Sequence, residues 1–462
     1  LKPISLRELL GSTPYQVLHG KPDPLVTDVV TKPYQLRAGT LLFRTRRREE
    51  LDWKQYQKYK NAVIVLRKRE GTPEDWGRLT VVQVPDVREA YWQFVDSYRK
   101  RFSIPVYAIT GTCGKSTTKE MIAHLFRSTG YNVQATVRSR NASRFNLPYL
   151  LGIEDSTDVA VFETGVARYP DDLHDSGKYF QPTIGIMTNI GLDHLSGCGT
   201  FENYLKGKAE MLDIIEPTGT FLYNADDENI AKIDRSVFPG RQYSFGKSSG
   251  ADFRATDIRY GEGGMEFTLQ FRGISHALFV PGYGEPNVYN ALAAIAGVHE
   301  AGMGIREAGE HLRTFQHLPG HMQLKKGVNG SLILDDSWSS NPVSFRSALQ
   351  VMPEIAKGRR MIVVTGSLTD DIMEELNAES RKIGRLAVEQ GVEVLITRGP
   401  DVRGISKGAL AAGMNPRHVQ HAEDLDEAYQ MLLPYLDERA LVLVKSSYYD
   451  LSDDLLDRIV LS

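Results

Sequence analysis

The sequence predicts an α/β protein of three domains: a small mixed α/β N-terminal domain, a central P-loop domain on a parallel sheet, and a C-terminal Rossmann-like domain. Three observations carry this. Short apolar runs closed by polar residues recur along residues 104–190 and again along 332–444, with helical stretches between many of them; buried parallel strands read this way. A glycine-rich segment ending in Lys-Ser lies between one such run and a helical stretch. The texture of the chain also changes near residue 100 and again at Leu318-Pro319-Gly320. The expected domains are therefore 1–100, 101–318 and 319–462.

In the first zone, Thr40–Phe43, Ala62–Leu66 and Thr80–Val84 read as strands, and Asp86–Arg101 reads as a helix. The run from Arg44 to Glu50 predicts a solvated charged face. In the middle zone, the run Ile104–Ile109 precedes the glycine-rich segment and a helical stretch from Lys119 to Ser128. Val159–Phe162 ends at Glu163, and Ile184–Met187 ends at Thr188 and Asn189. Residues 219–280 are rich in strand and turn signals. The last zone places strands at Leu332–Leu334, Met361–Val364, Val392–Ile396 and Leu441–Val444, with helices at Asp371–Gln390 and Asp424–Leu436. Ligands of open α/β sheets gather at the carboxyl ends of strands, so the polar residues there are the first candidates for function.

Composition excludes several classes. Lys+Arg 55 against Asp+Glu 58 leaves a net charge of −3, so no bulk basic field invites nucleic acid. No apolar run approaches the roughly 18 residues of a membrane helix, so no membrane insertion is expected. The opening LKPISLRELL lacks the features of a secretory signal. Two cysteines, Cys113 and Cys198, suit a reducing compartment. A cytoplasmic, monomeric protein working on small molecules is expected.

Gly111-Thr112-Cys113-Gly114-Lys115-Ser116-Thr117 follows a strand and precedes a helix. The glycines permit a tight turn whose N–H groups point at phosphate oxygens, and the helix N-terminus adds a positive dipole. Lys115 is placed for the β- and γ-phosphates and Ser116 for Mg2+; the G-x-x-G-K-S-T spacing is a short variant of the Walker loop. Cys113 is either a reactive low-pKa thiol or a small residue that fits the loop. Glu163, at a strand end, would share Mg2+ with Ser116, because Mg2+ takes few carboxylates alongside phosphates and waters. Asn287 and Asn290 lie three apart at a helix start and share a face; they suit the N6/N7 edge of adenine, or Asn287 caps the helix.

The segment Gly111–Met121, together with the stretches that follow it, resembles the Mur ligase family, and most of all its D-alanyl-D-alanine-adding branch. The resemblance rests on Arg140–Pro148, Phe162–Gly165, Thr188–Gly191 with Asp193-His194-Leu195, Lys208-Ala209-Glu210, Gly284–Leu292, Leu318–Met322, Asp335–Pro342 and Leu443–Ser447. It implies an ATP-dependent ligase that activates a carboxylate as an acyl phosphate, which an amino-acid or peptide amine then attacks. It implies that the Arg140–Pro148 stretch faces the acceptor, that His194 holds a second Mg2+, and that Lys208 is carbamylated. Lys206 competes for that last role. It implies further that His321 stands near the phosphates, and that Asp336, helped by Asn341, meets ribose or phosphate. On this reading Lys115, Lys208 and His194 are catalytic; Ser116, Glu163, His194 and Lys208 gather the metal.

The sequence also departs from the family. His321 replaces an arginine, and a neutral imidazole is a weaker phosphate clamp. Val26–Thr31 offers no arginine where the branch carries one for a UDP-sugar. Gly366–Asp370 differs from the family stretch, and Tyr448 stands at another arginine place. These departures predict intact ATP chemistry on an acceptor that is not the usual UDP-muramoyl peptide. Competing readings are the unaltered cell-wall reaction, a nucleotide-binding partner subunit without turnover, and an unrelated P-loop ATPase.

Overall fold

The computed structural model describes residues 1–45, 51–368, 373–400, 402–447 and 452–461. The Arg46–Arg48 run, Thr369, Asp370, the start of the stretch at Asp371, and Tyr448 lie outside the described residues.

Two compact units form. The first comprises residues 1–105 with 142–160 and 175–181; the second comprises 106–141, 161–174 and 182–462. In the first, strands ordered Gln16–His19, Thr80–Gln83, Val63–Leu66, Thr40–Phe43, Asp28–Val30 make a five-stranded sheet. All its pairings are parallel except that of Gln16–His19. Leu41, Leu42, Val63 and Ile64 are fully buried, which suits a parallel sheet covered on both faces. The helix Val87–Lys100 opens on an Asp86 cap that accepts from the Arg88 and Glu89 N–H groups. Its Arg99 is buried and donates to the Phe180, Gln181 and Phe102 carbonyls, which ties residues 175–181 to this unit.

The second unit holds the other two large sheets, save Val159 and Ala160 at the start of one strand. The nine-stranded sheet runs Ile274–Pro281, Gly264–Phe271, Phe253–Gly261, Arg241–Gly246, Thr220–Asn224, Ile184–Met187, Val106–Thr110, Val159–Glu163, Val133–Ala135. The pairings from Val106–Thr110 outward to Phe253–Gly261 are parallel. The hairpins beyond are antiparallel, as the turn signals in residues 219–280 predict. The six-stranded sheet runs Gln323–Lys326, Leu332–Asp336, Ala440–Lys445, Arg360–Thr365, Val392–Arg398, Val419–Ala422, and only its first pairing is antiparallel.

Helix boundaries shift where local chemistry dictates. The helix after the glycine-rich loop begins at Lys115, a turn before the expected Lys119, because Gly114 caps it with φ +82°; glycine adopts that conformation without strain. The stretch expected to run to Leu436 stops at Leu432, and Pro434 sits in a separate tight turn. The helix Glu285–Glu300 is buried along almost its whole length. Tyr107 donates to its Gly297 carbonyl at 2.9 Å. A Cβ at Gly297 would meet Ile186, Tyr107 and Ile122 at 3.2–3.4 Å. That close packing seats the helix against the sheet and brings its first turn to the glycine-rich loop.

Candidate functional site

The glycine-rich loop lies at the carboxyl end of Val106–Thr110, beside the ends of Ile184–Met187 and Val159–Glu163. A cavity of about 430 Å3 opens there. Thr112, Cys113, Gly114, Lys115, Ser116 and Thr117 line it, together with Glu163, His194, Asn287, Asn290, His321, Asp336 and Asn341. Chain segments far apart in sequence are thus brought to one wall. Gly111 and Lys208 are not on it; Lys208 lies against the Gly111 carbonyl.

The loop has no room for side chains at its glycines. A Cβ at Gly111 would stand 2.0 Å from Thr188 Oγ1, and one at Gly114 would stand 2.3 Å from Asn290 Oδ1. Asn189 braces the turn by accepting the Cys113 N–H at 2.8 Å and donating to the Cys113 carbonyl at 3.0 Å. The Lys115 ammonium reaches the Gly111 and Thr112 carbonyls at 3.0 and 2.9 Å. Burial pushes the Cys113 thiol up from its ordinary value, the direction that suits a small residue fitted into the loop.

Ser116 Oγ donates to Glu163 Oε2 at 2.7 Å, and Asn141 Nδ2 donates to Glu163 Oε1 at 2.6 Å. This hydroxyl–carboxylate pair beside a phosphate loop is the hard oxygen donor set that Mg2+ accepts, with phosphates and waters completing its shell. His194 adopts φ +54° and leaves its ring half exposed, 3.9 Å from Asp193. Among the described residues, no three His, Cys, Asp or Glu side chains converge on a metal-sized gap. A metal here would draw on substrate oxygens.

Lys208 and Lys206 part company on the helix Phe201–Ala209. Lys206 faces solvent, paired with Glu202 at 2.8 Å. Lys208 is buried, 2.9 Å from the Gly111 carbonyl and 3.3 Å from Thr110 Oγ1, with its ammonium over the Tyr204 ring. Desolvation, reinforced by Lys115, holds the amine well below the ordinary lysine range. Glu210 does different work: it accepts the Asp171 N–H at 3.0 Å, beside the helix Asp172–Phe180.

Asn290 accepts from Thr118 Oγ1 at 3.4 Å while lying against Gly114. Asn287 donates to the Tyr283 carbonyl at 2.9 Å. Gly284, not Asn287, caps this helix, so the capping alternative falls. Phe245, Tyr283 and His317 extend the wall here and offer flat surfaces for a base.

The C-terminal sheet supplies the opposite wall. Asp336 is 2.8 Å from the fully buried Lys445 ammonium and accepts the Met322 N–H at 3.2 Å. Asn341 caps the helix Pro342–Ala356 through the Ser344 N–H and accepts the Cys113 thiol at 3.3 Å. His321 stacks on Trp338 with centroids 5.5 Å apart. Desolvation lowers its pKa, so the ring is neutral near pH 7.

Ser139 carried no role in the sequence analysis, and Asn141 and Trp338 entered it only as members of longer stretches. Trp338 donates from Nε1 to Ser139 Oγ at 2.9 Å, and Ser139 Oγ lies 2.8 Å from Ser116 Oγ. Asn141 belongs to the stretch expected to face the acceptor, and here it holds Glu163. Ser139 follows no motif, so only tertiary contact reveals it.

A phosphate loop at the end of a parallel strand, an adjoining hydroxyl–carboxylate pair and a second α/β sheet closing the cavity define a P-loop nucleotide-dependent enzyme. Residues 109–298 match the Mur ligase middle domain, and residues 320–448 match the Mur ligase glutamate ligase domain. The chain is 27% identical over 389 residues to the UDP-N-acetylmuramoyl-tripeptide–D-alanyl-D-alanine ligase of Bacillus subtilis, covering 84% of this chain and 82% of that one. It is 29% identical over 329 residues to the Escherichia coli ligase of the same name, covering 70% and 71%. In fold it resembles MurF from Acinetobacter baumannii, with a TM-score of 0.81, 21% identity and 99% of both chains covered. It also resembles the Thermotoga maritima MurF ligase in complex with ADP, with a TM-score of 0.76, 18% identity and 94% and 97% covered. The chain belongs to the Mur ligase family and is an ATP-dependent carboxylate–amine ligase. Ligases of this family use ATP and Mg2+. Among the described residues, no helix is long and apolar enough to cross a membrane.

Proposed function

We propose that this ligase joins D-alanyl-D-alanine to a UDP-muramoyl tripeptide. The observation that carries the chemistry is the convergence of loop residues Thr112–Thr117, Glu163 and His194 on one cavity. In the first half-reaction, a substrate carboxylate oxygen attacks the γ-phosphorus of ATP. The bond to the β,γ-bridging oxygen breaks, leaving ADP and an acyl phosphate. In the second, the amine nitrogen attacks the acyl carbon, inorganic phosphate leaves with the C–O bonding pair, and the nitrogen gives up a proton. Such transfers need positioning and charge neutralisation more than covalent help from the protein.

Loop N–H groups and Lys115 would bind the phosphates. Ser116 and Glu163, with His194 at the cavity wall, would hold Mg2+, which supplies positive charge to the transferring phosphoryl group. Asn287 and Asn290 would border the adenine, and Asp336 with Asn341 would border the ribose and phosphates. His321, being neutral, would contribute a hydrogen bond and not a charge. Lys208 is the candidate for carbamylation: its neutral amine would attack CO2 and lose a proton, and Lys115 beside it would favour the resulting anion. In functional terms, residues 1–100 would serve the acceptor, 101–318 ATP and 319–462 the ligation. The protein would work in the cytoplasm, as a monomer.

Acceptor recognition is supported by a cavity of about 540 Å3 in the N-terminal unit, lined by Arg44, Arg67, Lys68 and Arg88 among others. Arg44 pairs with Glu70. Arg67, Lys68 and Arg88 are exposed and would draw a diphosphate. One observation favours a second reading, a different acceptor carboxylate. In Val26–Thr31, Thr27 donates to the Gly39 carbonyl at 3.2 Å and Asp28 accepts the Val29 N–H at 2.9 Å, so these side chains bond within the local backbone.

The test is substrate-dependent ADP release, with product masses, across a panel of carboxylates and amines. Saturable turnover of UDP-muramoyl tripeptide with D-alanyl-D-alanine supports the first reading. Turnover confined to another carboxylate supports the second. Absence of ADP release with every pair rejects both. Calorimetric titration of UDP-muramoyl tripeptide uses the full chain, because the first compact unit draws on residues 142–160 and 175–181.

A further inference from the structure

We propose that Trp338 is a positioning residue that fixes the hydroxyl direction of Ser139 and Ser116, and through them readies Ser116 and Glu163 for Mg2+. The inference rests on the nucleotide-binding reading above and goes beyond it.

The argument is one of donors and acceptors. Trp338 Nε1–H is 2.9 Å from Ser139 Oγ, Ser139 Oγ is 2.8 Å from Ser116 Oγ, and Ser116 Oγ is 2.7 Å from Glu163 Oε2. A hydroxyl both donates and accepts, so two serines alone leave the direction of their mutual bond open. An indole N–H only donates and an ionised carboxylate only accepts. With these at the two ends, one arrangement satisfies every atom: Trp338 donates to Ser139, Ser139 donates to Ser116, and Ser116 donates to Glu163. Ser116 Oγ then carries one bond received and one given. One lone pair remains, free for a cation. If the chain ran the other way, Ser116 would point its proton at Ser139 and leave Glu163 Oε2 without its hydroxyl donor, with Asn141 still donating to Oε1.

The donor comes from the segment that follows the strand Leu332–Asp336, while its acceptor lies beside the glycine-rich loop. Trp338 is held by its stack on His321. The approach of the two regions is close elsewhere too: a Cβ at Gly191 would stand 2.3 Å from a Val343 methyl group. The C-terminal region therefore adds to nucleotide binding through the polarity of a hydrogen-bond chain. A residue acting this way changes the response to the cation more than the grip on the nucleotide.

The experiment measures ADP binding to the full-length protein by calorimetry, without divalent cation and across a Mg2+ titration. Trp338→Phe keeps an aromatic ring against His321 and removes the N–H. Relative to the unaltered protein, the Mg2+ concentration for half-maximal effect should rise about three- to tenfold, while metal-free ADP affinity stays within about twofold. Ser139→Ala should give the same pattern without touching the aromatic stack, and it decides the matter if Trp338→Phe fails to fold. The double variant should be no worse than either single one, since both break one chain. The proposal is overturned by an unchanged Mg2+ response, by an equal loss of metal-free ADP affinity, or by additive effects. If the unaltered protein binds ADP no better with Mg2+ than without, the nucleotide reading itself falls, and this inference with it.

Discussion

The cations of the central loop and those of the N-terminal cavity carry the same formal charge in opposite surroundings. Lys208 is buried against the Gly111 carbonyl, and desolvation holds its amine well below the ordinary range. Lys115 sits beside it with its ammonium against two carbonyls. In the N-terminal cavity, Arg67, Lys68 and Arg88 are exposed, and the one strongly buried member, Arg44, is paired with Glu70. Burial converts charge into chemistry, because the protonation state itself becomes adjustable. Exposure keeps the charge intact and makes it a screened attraction, suited to recognition. The segments that resemble the family supply most of the central cavity wall, with His321 the one departure on it, whereas Val26–Thr31 departs within the N-terminal unit. A reaction demands one arrangement of buried groups, whereas a recognition surface is free to change.

Four measurements would break or sharpen this contrast. The largest effect is expected at the loop: Lys115→Ala should lower kcat for ADP release by about 10³-fold, as removal of a preorganised charge at a transition state does. Turnover close to that of the unaltered protein would take the loop out of the mechanism.

Lys208→Ala should lower activity by about 10²-fold, with partial recovery when a short carboxylic acid replaces the lost anion. Labelled bicarbonate should give a carbamate resonance that disappears in this variant. Activity should also fall as pH drops, because the amine must be neutral to take up CO2. An amine that stays unmodified in saturating bicarbonate would refute the assignment.

At the exposed site the effect should be smaller and dependent on salt. Arg67→Ala and Arg88→Ala should each raise the KM for UDP-muramoyl tripeptide about three- to tenfold, with kcat unchanged. Added salt should weaken acceptor binding to the unaltered protein more than to either variant. A KM indifferent to both substitutions would move recognition away from this cavity.

The smallest effect concerns stability. His321 has a lowered pKa in the folded protein, so below an ordinary value near 6.5 the unfolded chain binds more protons. Its contribution is complete above that pH and is lost as pH falls toward the folded value. His321→Asn should flatten the acid side of the melting-temperature profile below about pH 6.5. A profile of unchanged slope would show that the ring is not held neutral by burial.

The α/β class, the parallel strands and the glycine-rich loop were legible from the chain because each is local. A run such as Val106–Thr110 is apolar because both faces of its strand are covered. Gly111 and Gly114 are required where any Cβ would collide. The family resemblance pointed to Lys208 with Lys206 in competition, and their helix turned Lys208 toward the loop and Lys206 toward water.

Other outcomes belonged to the tertiary structure alone. Asp336 and Asn341 sit on the expected wall, yet an ion pair with Lys445 and a helix cap engage them there. The Trp338–Ser139–Ser116–Glu163 chain joins residues up to 199 positions apart in sequence, and no pattern along the chain encodes it. The first compact unit gathers residues 142–160 and 175–181 across a sequence boundary. Sequence alone determined which segments become strands, helices and phosphate loop, because burial periodicity and glycine conformation act over a few residues. Only the fold decided which cation loses its water and which hydroxyl points where. Desolvation and hydrogen-bond direction depend on every group within a few ångströms, whatever its place in the chain.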